Sequence, residues 1–189
     1  MKQKQALNFV KVVIYIMIKQ HIHLLCGIPG SGKSTFVHKQ LESGKGIWIS
    51  RDNVRKALVG ENVTDSQYFS QEKRVFADFV MQINDAISLG YEHIYVDATH
   101  ISPASRAKVL NQLYVNENSA LILEVFMTPA EECLRRNELR SGFARVPDSA
   151  ILNMARDFQY PTREEFANRT YGFDRISINE HECKGGDSL

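Results

Sequence analysis

The chain has 189 residues, of which 43% are hydrophobic and 24% charged, and its formal net charge is +1. These values are typical of one globular domain with a sizeable core. Because acidic and basic residues nearly cancel, no overall positive field indicates a nucleic-acid binder, and such a partner would need a local basic patch. The three cysteines form no CxxC pair, which predicts reduced thiols in a cytoplasmic protein.

The N-terminus begins with an apolar run at residues 9–18, behind Lys2 and Lys4, that superficially resembles a signal peptide. The run is too short to span a bilayer, and no small-residue cleavage site follows it. We expect residues 1–16 to be a leader without chemistry, either non-native, with Met17 as the natural start, or an added edge segment. Residues 17–181 are then the folded domain, and 182–189 are a polar tail.

Strands and helices alternate along the rest of the chain. Strands are predicted at residues 21–26, 46–49, 94–96, 120–126 and 171–178, from short runs of branched and apolar side chains. Helices are predicted at 34–41, 52–59, about 69–90, from Ser102 onward, from Pro129 to about 140, and after Pro147. Alternation of this kind predicts an α/β fold, a parallel sheet with helices on both faces.

A glycine-rich turn follows the first predicted strand and reads Gly27-Ile28-Pro29-Gly30-Ser31-Gly32-Lys33-Ser34-Thr35. Glycines at this spacing let backbone N–H groups surround phosphate oxygens, and the N-terminus of the next helix adds its positive end. Lys33 is expected to meet the outer phosphates, and the Ser34 hydroxyl to ligate magnesium. The pattern predicts a P-loop NTPase that binds ATP with Mg²⁺.

A phosphate loop alone leaves hydrolysis, transfer to a small molecule and transfer to a nucleic acid open. The second predicted strand ends just before Asp52, and Arg55 follows one helical turn later. Asp52 can deprotonate an attacking hydroxyl while Arg55 holds an acceptor phosphate. Alternatively, Asp52 is only a helix cap and Arg55 a solvated residue. A GTPase-like switch is the weaker alternative, because no Asn-Lys-x-Asp segment occurs.

Four segments together resemble the polynucleotide 5′-hydroxyl kinases of phage and bacterial nucleic-acid repair. They are the glycine-rich turn, Asp52 with Arg55, Val96-Asp97-Ala98-Thr99-His100, and Arg136-Asn137-x-x-Arg140. The resemblance covers about residues 21–178 and implies a P-loop kinase domain with a helical lid at about 129–157. It also implies ATP, magnesium and a nucleic acid 5′-hydroxyl end, of RNA or DNA, as the ligands.

The resemblance also implies roles for single residues. Asp52 looks like the general base, with Lys33 and Arg140 as further catalytic residues, and Arg55 looks like the ligand of the acceptor phosphate. Asp97 is placed like a carboxylate near magnesium or the acceptor. Thr99 and His100 are placed at the acceptor, although His100 stands where relatives commonly have asparagine. Arg136 and Arg140 look like lid arginines over the triphosphate, and Arg145 is a further candidate.

Two other functions stay open. A small-molecule kinase of the zeta-toxin or antibiotic phosphotransferase kind shares the loop and the strand-end aspartate, and a nucleotide-regulated binding module needs no base at all. A nucleic-acid acceptor would be gripped by Arg51, Arg55, Lys56, Lys73, Arg74 and Arg106, if folding brings them together. Trp48 and the phenylalanines of the long helix are expected in the core.

Overall fold

The computed structural model describes residues 20–60, 70–167 and 173–180. The predicted leader at 1–16, the predicted tail at 182–189 and the domain limits at 17 and 181 lie outside these ranges, so they stay predictions.

The described residues form strands and helices that alternate as the sequence predicts. The strands are β1 (Gln20–Cys26), β2 (Gly46–Ser50), β3 (His93–Asp97), β4 (Ser119–Phe126) and β5 (Arg175–Asn179). The helices are α1 (Lys33–Leu41), α2 (Arg51–Val59), α3 (Glu72–Ser88), α4 (Pro103–Leu110), α5 (Ala130–Glu138), α6 (Asp148–Arg156) and α7 (Glu164–Ala167), with a 3₁₀ turn at Gly142–Ala144. None of these helices is long and apolar enough to cross a membrane.

The strands form one 5-stranded sheet in the order β2-β3-β1-β4-β5. All four strand pairs are parallel, so the carboxyl ends of the strands meet at one edge. In this register Leu25 of β1 lies opposite Asp97 of β3, and Ser50 of β2 lies opposite the same aspartate. The turn after β1 and the start of α2 therefore meet at the edge where α/β folds bind ligands.

Helices cover both faces of the sheet. Alternate side chains of β1 point to opposite faces, and Ile22 and Leu24 belong to a core that also contains Phe79 and Ile83 of α3. Leu25 points the other way and packs with Val37 of α1. The predicted α/β class with helices on both faces is confirmed.

Local signals set several boundaries. The Ser50 side chain caps α2 by accepting from the Asn53 amide, and Ser102 caps α4 with Pro103 in the first turn. The long amphipathic helix, predicted at about 69–90, is observed as α3 from Glu72 to Ser88. The last strand, predicted at 171–178, is observed as β5 from Arg175 to Asn179. Residues 171 and 172 lie outside the described ranges, and the Phe173 amide donates to the Glu165 carbonyl instead of to a neighbouring strand. Cys26 and Cys133 are buried free thiols, and the predicted cytoplasmic location stays a prediction.

Candidate active site

The glycine-rich turn wraps tightly at the carboxyl end of β1. Gly30 and Gly32 have φ angles of 86° and 98°, which only glycine adopts at no steric cost. A Cβ atom at Gly30 would lie 2.6 Å from the Cys133 carbonyl oxygen of α5. The Thr128 hydroxyl donates to the Ser31 carbonyl over 2.9 Å. The loop therefore depends on glycine both for its curvature and for the close approach of α5.

Lys33 lies inside this turn. Its Nζ donates to the carbonyl oxygens of Gly27 and Ile28 over 2.8 and 2.9 Å, and the residue is 8% exposed. Burial lowers the pKa of Lys33, and the carboxylates of Asp97 and Asp52 oppose that shift. The hydrogen bonds hold the ammonium group inside the turn, where the lysine is placed to exchange loop carbonyls for phosphate oxygens.

Ser34, Asp97 and Trp48 meet beside the loop. Ser34 Oγ and Trp48 Nε1 donate to the same oxygen of Asp97, over 3.3 and 3.1 Å. Burial raises the pKa of Asp97, while Lys33 and the Trp48 N–H oppose the shift. The predicted metal ligands Ser34 and Asp97 are thus neighbours.

The oxygen donors present fit a magnesium ion. Mg²⁺ takes oxygen ligands, keeps several waters and is held by one or two protein groups plus substrate phosphates. Ser34 and Asp97 offer such a pair, and no group of three or more His, Cys, Asp or Glu side chains in the described ranges forms an all-protein metal cage. When bound, the ion would neutralise charge on the outer phosphates.

The predicted acceptor side of the site lies at the first turn of α2. The guanidinium of Arg55 is paired with the Asp52 carboxylate through Nη1, and its Nε donates to Glu72 Oε1 over 2.6 Å. The Arg55 side chain is only 8% exposed, whereas that of Asp52 is 81% exposed. Asp52 is therefore accessible to a substrate, and Arg55 is a fixed, buried neighbour of it rather than a solvated helix residue.

Thr99 and His100 connect β3 to the loop. The Thr99 carbonyl accepts from the Gly27 amide over 2.9 Å. His100 is 4% exposed and has a φ angle of 44°. Its Nδ1 donates to the Leu25 carbonyl over 2.9 Å, which leaves Nε2 as the acceptor nitrogen of the neutral ring. A contact between His100 and an acceptor stays a prediction and would require the ring to become accessible.

Burial lowers the pKa of His100 to about 4. The positive charges of Arg51, Lys33 and Arg106 add to this effect, against the hydrogen bond to Leu25. The imidazole is therefore neutral at physiological pH.

The lid arginines predicted from the sequence differ in position. Arg136 Nη1 donates to the Gly30 carbonyl over 3.0 Å, and its Nε donates to Glu132. Arg136 thus lies on the glycine-rich turn, as a phosphate ligand would. Arg140 and Arg145 are exposed and flank the 3₁₀ turn after α5. Their approach to a nucleotide, and the lid movement that it needs, stay predictions.

A buried asparagine joins the two ends of the segment that carries these arginines. Asn137 is 0% exposed, its Nδ2 donates to the Val146 carbonyl over 2.6 Å, and its Oδ1 accepts from the Val146 amide over 3.0 Å. Residues 139–145, which include the 3₁₀ turn, therefore form a connection between α5 and α6 whose ends are joined by the Asn137 side chain.

The sequence predicts Arg106 among the residues that grip a nucleic-acid acceptor, and the structure shows that this prediction is wrong. The side chain is 0% exposed and forms two hydrogen bonds to the Glu165 carboxylate, of 2.6 and 2.9 Å. It also donates to the His100 carbonyl. The local sequence shows only a basic residue, because the carboxylate that pairs with it belongs to Glu165, 59 positions away. Lys56, Lys73 and Arg74 of the same set are exposed.

Two residues of the site escaped prediction from the sequence. Trp48 is half-buried against α1, and it donates to Asp97 instead of only filling the core. Its position two residues before Ser50 on β2 places it on the side of the sheet that carries Asp97, a signal that the strand alternation contains. Glu72 opens α3 and contacts Arg51 and Arg55, and nothing in its local sequence indicates this.

The fold and the site define a nucleotide-binding protein with a kinase-like P-loop phosphotransferase fold. A family model described as an AAA domain matches residues 22–161, and the chain belongs to this family.

Solved structures agree with this assignment. A chain of the Pnkp1/Rnl/Hen1 RNA repair complex is similar at 28% identity with a TM-score of 0.63, over 78% of this chain and 46% of that chain. This chain therefore spans less than half of that relative. The resemblance to the polynucleotide kinases is confirmed by these comparisons.

Two further kinases share the fold. A fungal RNA kinase is 12% identical with a TM-score of 0.59, over 90% of this chain and 78% of that chain. A gluconokinase from Sinorhizobium meliloti 1021 is 17% identical with a TM-score of 0.51, over 86% of this chain and 83% of that chain. At these identities the similarity shows the fold alone, so it leaves the acceptor open.

Proposed function

We propose that the protein is an ATP-dependent kinase that phosphorylates the 5′-hydroxyl end of RNA or DNA. The observation that carries the proposal is the pairing of a buried arginine, Arg55, with an exposed aspartate, Asp52, beside the glycine-rich turn. An uncharged acceptor needs a base and offers a guanidinium no anion to hold. A nucleic-acid end carries a phosphate close to its 5′-hydroxyl, and a guanidinium is the side chain best suited to hold it.

The reaction assigns a task to each group. Lys33, Arg136 and the backbone amides of the turn hold the triphosphate. Ser34 and Asp97 would hold the magnesium ion, which would neutralise charge on the outer phosphates. The 5′-oxygen attacks the γ-phosphorus in line, and the bond from that phosphorus to the β,γ-bridging oxygen breaks, so that ADP leaves. Asp52 accepts the proton of the hydroxyl. Arg140 approaches the transferring group when the lid closes.

The similarity to an RNA repair protein at 28% identity supports a nucleic-acid acceptor. That relative is a longer chain, so the activities of its remaining parts are not included in the proposal. A small-molecule kinase is the second candidate, because the gluconokinase shares the fold over most of both chains. The two candidates differ in what the acceptor must carry.

The test is transfer of labelled γ-phosphate from ATP to four acceptors: a 5′-hydroxyl oligonucleotide, a nucleoside 3′-phosphate, the plain nucleoside and gluconate. The proposal expects the two phosphate-bearing acceptors to be preferred. Arg55→Ala should remove most of that preference, and Arg156→Ala, which changes an exposed arginine paired with Asp157, should leave it intact. Preferred transfer to gluconate or to the plain nucleoside would contradict the proposal and favour the second candidate.

Asp52→Asn tests the base. The substitution keeps the size of the side chain and removes its proton-accepting charge, so transfer should fall by about 10² or more while ATP binding is retained. Asp85→Asn, at an exposed position in the last turns of α3, is the matched control. Full activity of Asp52→Asn would reduce Asp52 to a structural residue.

A further inference from the structure

Glu72 bridges two arginines at the acceptor side of the site. Its Oε1 accepts from Arg55 Nε over 2.6 Å, and its Oε2 accepts from Arg51 Nη2 over 2.7 Å. Arg55 in turn is paired with Asp52. We call the four residues Arg51, Asp52, Arg55 and Glu72 the acceptor cluster. One carboxylate thus fixes the guanidinium that neighbours the candidate base.

The cluster is assembled from two helices. Arg51, Asp52 and Arg55 belong to the first turns of α2, whereas Glu72 is the first residue of α3. A carboxylate in the first turn of a helix is favoured by the partial positive charge there. Burial alone would raise the pKa of Glu72, but hydrogen bonds and charge from Arg55 and Arg51 outweigh it, so that its pKa is lowered. Glu72 therefore stays ionised.

The guanidinium geometry explains what the bridge does. A guanidinium is planar and presents its N–H groups in a fixed fork, so a hydrogen bond to Nε sets the rotation of the whole group. Glu72 accepts the hydrogen bond from Arg55 Nε, and Arg55 Nη1 is paired with Asp52. The Arg51 guanidinium also lies 5.5 Å from the centre of the Phe76 ring of α3, which keeps the second partner of Glu72 in place.

We infer that Glu72 is a positioning residue that sets the orientation of Arg55 and thereby determines the preference for an acceptor that carries a phosphate next to its hydroxyl. Glu72 itself does not touch the reacting atoms. The inference rests on the proposed function, because it assigns Arg55 the acceptor phosphate. The inference adds a residue of α3 to the residues of α2 that would recognise the acceptor. The contact between α2 and α3 then becomes part of acceptor recognition.

The test compares Glu72→Ala and Glu72→Gln with the unchanged protein. Rates are measured with a 5′-hydroxyl oligonucleotide and with the plain nucleoside, and the KM for ATP is measured in parallel. Glu72→Ala removes both carboxylate oxygens that accept hydrogen bonds from Arg51 and Arg55. Glu72→Gln keeps one oxygen for the two arginines, so its rates should lie between those of Glu72→Ala and those of the unchanged protein. Glu92→Gln, in an exposed pair with Lys45 at the other end of the sheet, is the matched control.

We expect Glu72→Ala to lower the rate with the oligonucleotide while leaving the rate with the nucleoside and the KM for ATP almost unchanged. Misplacement of a holding group by about 1 Å can cost on the order of 10²-fold, so Glu72→Ala should lower kcat/KM for the oligonucleotide by about 10- to 100-fold. Most of this loss should lie in the KM of the oligonucleotide. The KM for ATP and the rate with the nucleoside should change by less than about 2-fold, because neither uses Arg55 as a phosphate ligand.

Three other results would overturn the inference, and they distinguish failure of the role of Glu72 from failure of the proposed function. If the unchanged protein phosphorylates the oligonucleotide but Glu72→Ala affects oligonucleotide, nucleoside and ATP equally, Glu72 only supports the fold and the proposed function stands. The same holds if the variant changes nothing. If the unchanged protein transfers no phosphate to any phosphate-bearing acceptor, the proposed function fails and the role of Glu72 fails with it.

Discussion

The indole nitrogen of Trp48 donates a hydrogen bond to Asp97 Oδ2 over 3.1 Å, and the Ser34 hydroxyl shares that oxygen over 3.3 Å. A side chain of β2 thus holds a carboxylate of β3 in one orientation beside the glycine-rich turn. Because Asp97 and Ser34 are the pair suited to magnesium, the tryptophan contributes to that site without being a ligand of it.

Trp48→Phe should weaken magnesium-dependent nucleotide binding while leaving the fold intact. Phenylalanine keeps an aromatic ring against α1 but removes the N–H donor, a loss of about 1 kcal/mol or more for a hydrogen bond to a charged group. The affinity for ATP, measured by calorimetry, should fall by roughly 3- to 10-fold with Mg²⁺ and change little with EDTA. Equal losses under both conditions would contradict the role at the metal pair.

The same contact offers a spectroscopic readout. Trp48 is the single tryptophan of the chain, so its fluorescence reports on Asp97 without labelling. Addition of Mg²⁺ with ATP should change the emission of the unchanged protein, and Asp97→Asn should reduce that change.

Gly30→Ala should destabilise the protein and abolish nucleotide binding. The new Cβ would lie 2.6 Å from the Cys133 carbonyl oxygen, at a φ angle of +86°. Gly44→Ala is the control that separates the two causes, since Gly44 has a similar φ of +74° but a Cβ atom there would meet no other atom within 4 Å.

The left-handed conformation should cost both variants about 1 kcal/mol. The clash should cost Gly30→Ala about 1–3 kcal/mol more. Urea unfolding measures the difference, and equal stability of the two variants would show that α5 can move away from the loop.

Arg106→Met should destabilise the fold far more than the loss of a surface arginine. Methionine replaces the buried stem but leaves the Glu165 carboxylate, whose side chain is 14% exposed, without its partner. Breaking one side of a buried pair costs on the order of 3–5 kcal/mol. Arg106→Met combined with Glu165→Gln should recover part of the loss in urea unfolding, because no uncompensated charge remains. Arg106 also donates to the carbonyl oxygens of His100 and Gln159, and a double variant as unstable as the single one would place the loss in these hydrogen bonds instead.

His100→Asn should make the protein more resistant to acid. The pKa of His100 is about 4 in the folded protein against an ordinary value of 6.5, so between these values the unfolded chain binds a proton that the folded chain does not. The contribution is complete above pH 6.5 and is lost as the pH falls toward 4, by up to about 3 kcal/mol.

Asparagine tolerates the positive φ of this position and does not titrate. Thermal melts from pH 7 to 4 should show a smaller decline for His100→Asn than for the unchanged protein. Parallel declines would place the acid sensitivity in other titratable groups, either the remaining histidines or the carboxylates.

Much of the architecture could be predicted from local patterns. The alternation of strands and helices, the glycine-rich turn, and Ser102 with Pro103 at the start of α4 depend on neighbouring residues. The structure confirms the order of these elements, while the ends of the long helix and of the last strand differ from the prediction. Ser34 and Asp97 could be predicted to be neighbours because the carboxyl ends of parallel strands meet at one edge. Asp52 and Arg55 could be predicted to pair because they are three positions apart on a helix.

The remaining features depend on partners that the local sequence does not indicate. Arg106 looks like a surface cation until Glu165 is found 59 positions away, and Trp48 looks like a core residue until Asp97 is found 49 positions away. Glu72 meets its arginines across a contact between two helices. Such long-range pairs depend on how the helices and strands pack together. Neither the composition of the chain nor the spacing of its hydrophobic residues indicates which side chains will meet.

The double hydrogen bond of Asn137 to Val146 has a consequence for how this kinase-like fold can diversify. The Asn137 amide pairs with both backbone polar groups of Val146 and so closes the base of the loop at residues 139–145. The loop can therefore change in length or composition while α5 and α6 stay in contact. Arg140 and Arg145 both belong to this loop and would be replaced together. Exchange of this loop between related chains should therefore exchange its basic side chains and leave the helices on either side in place.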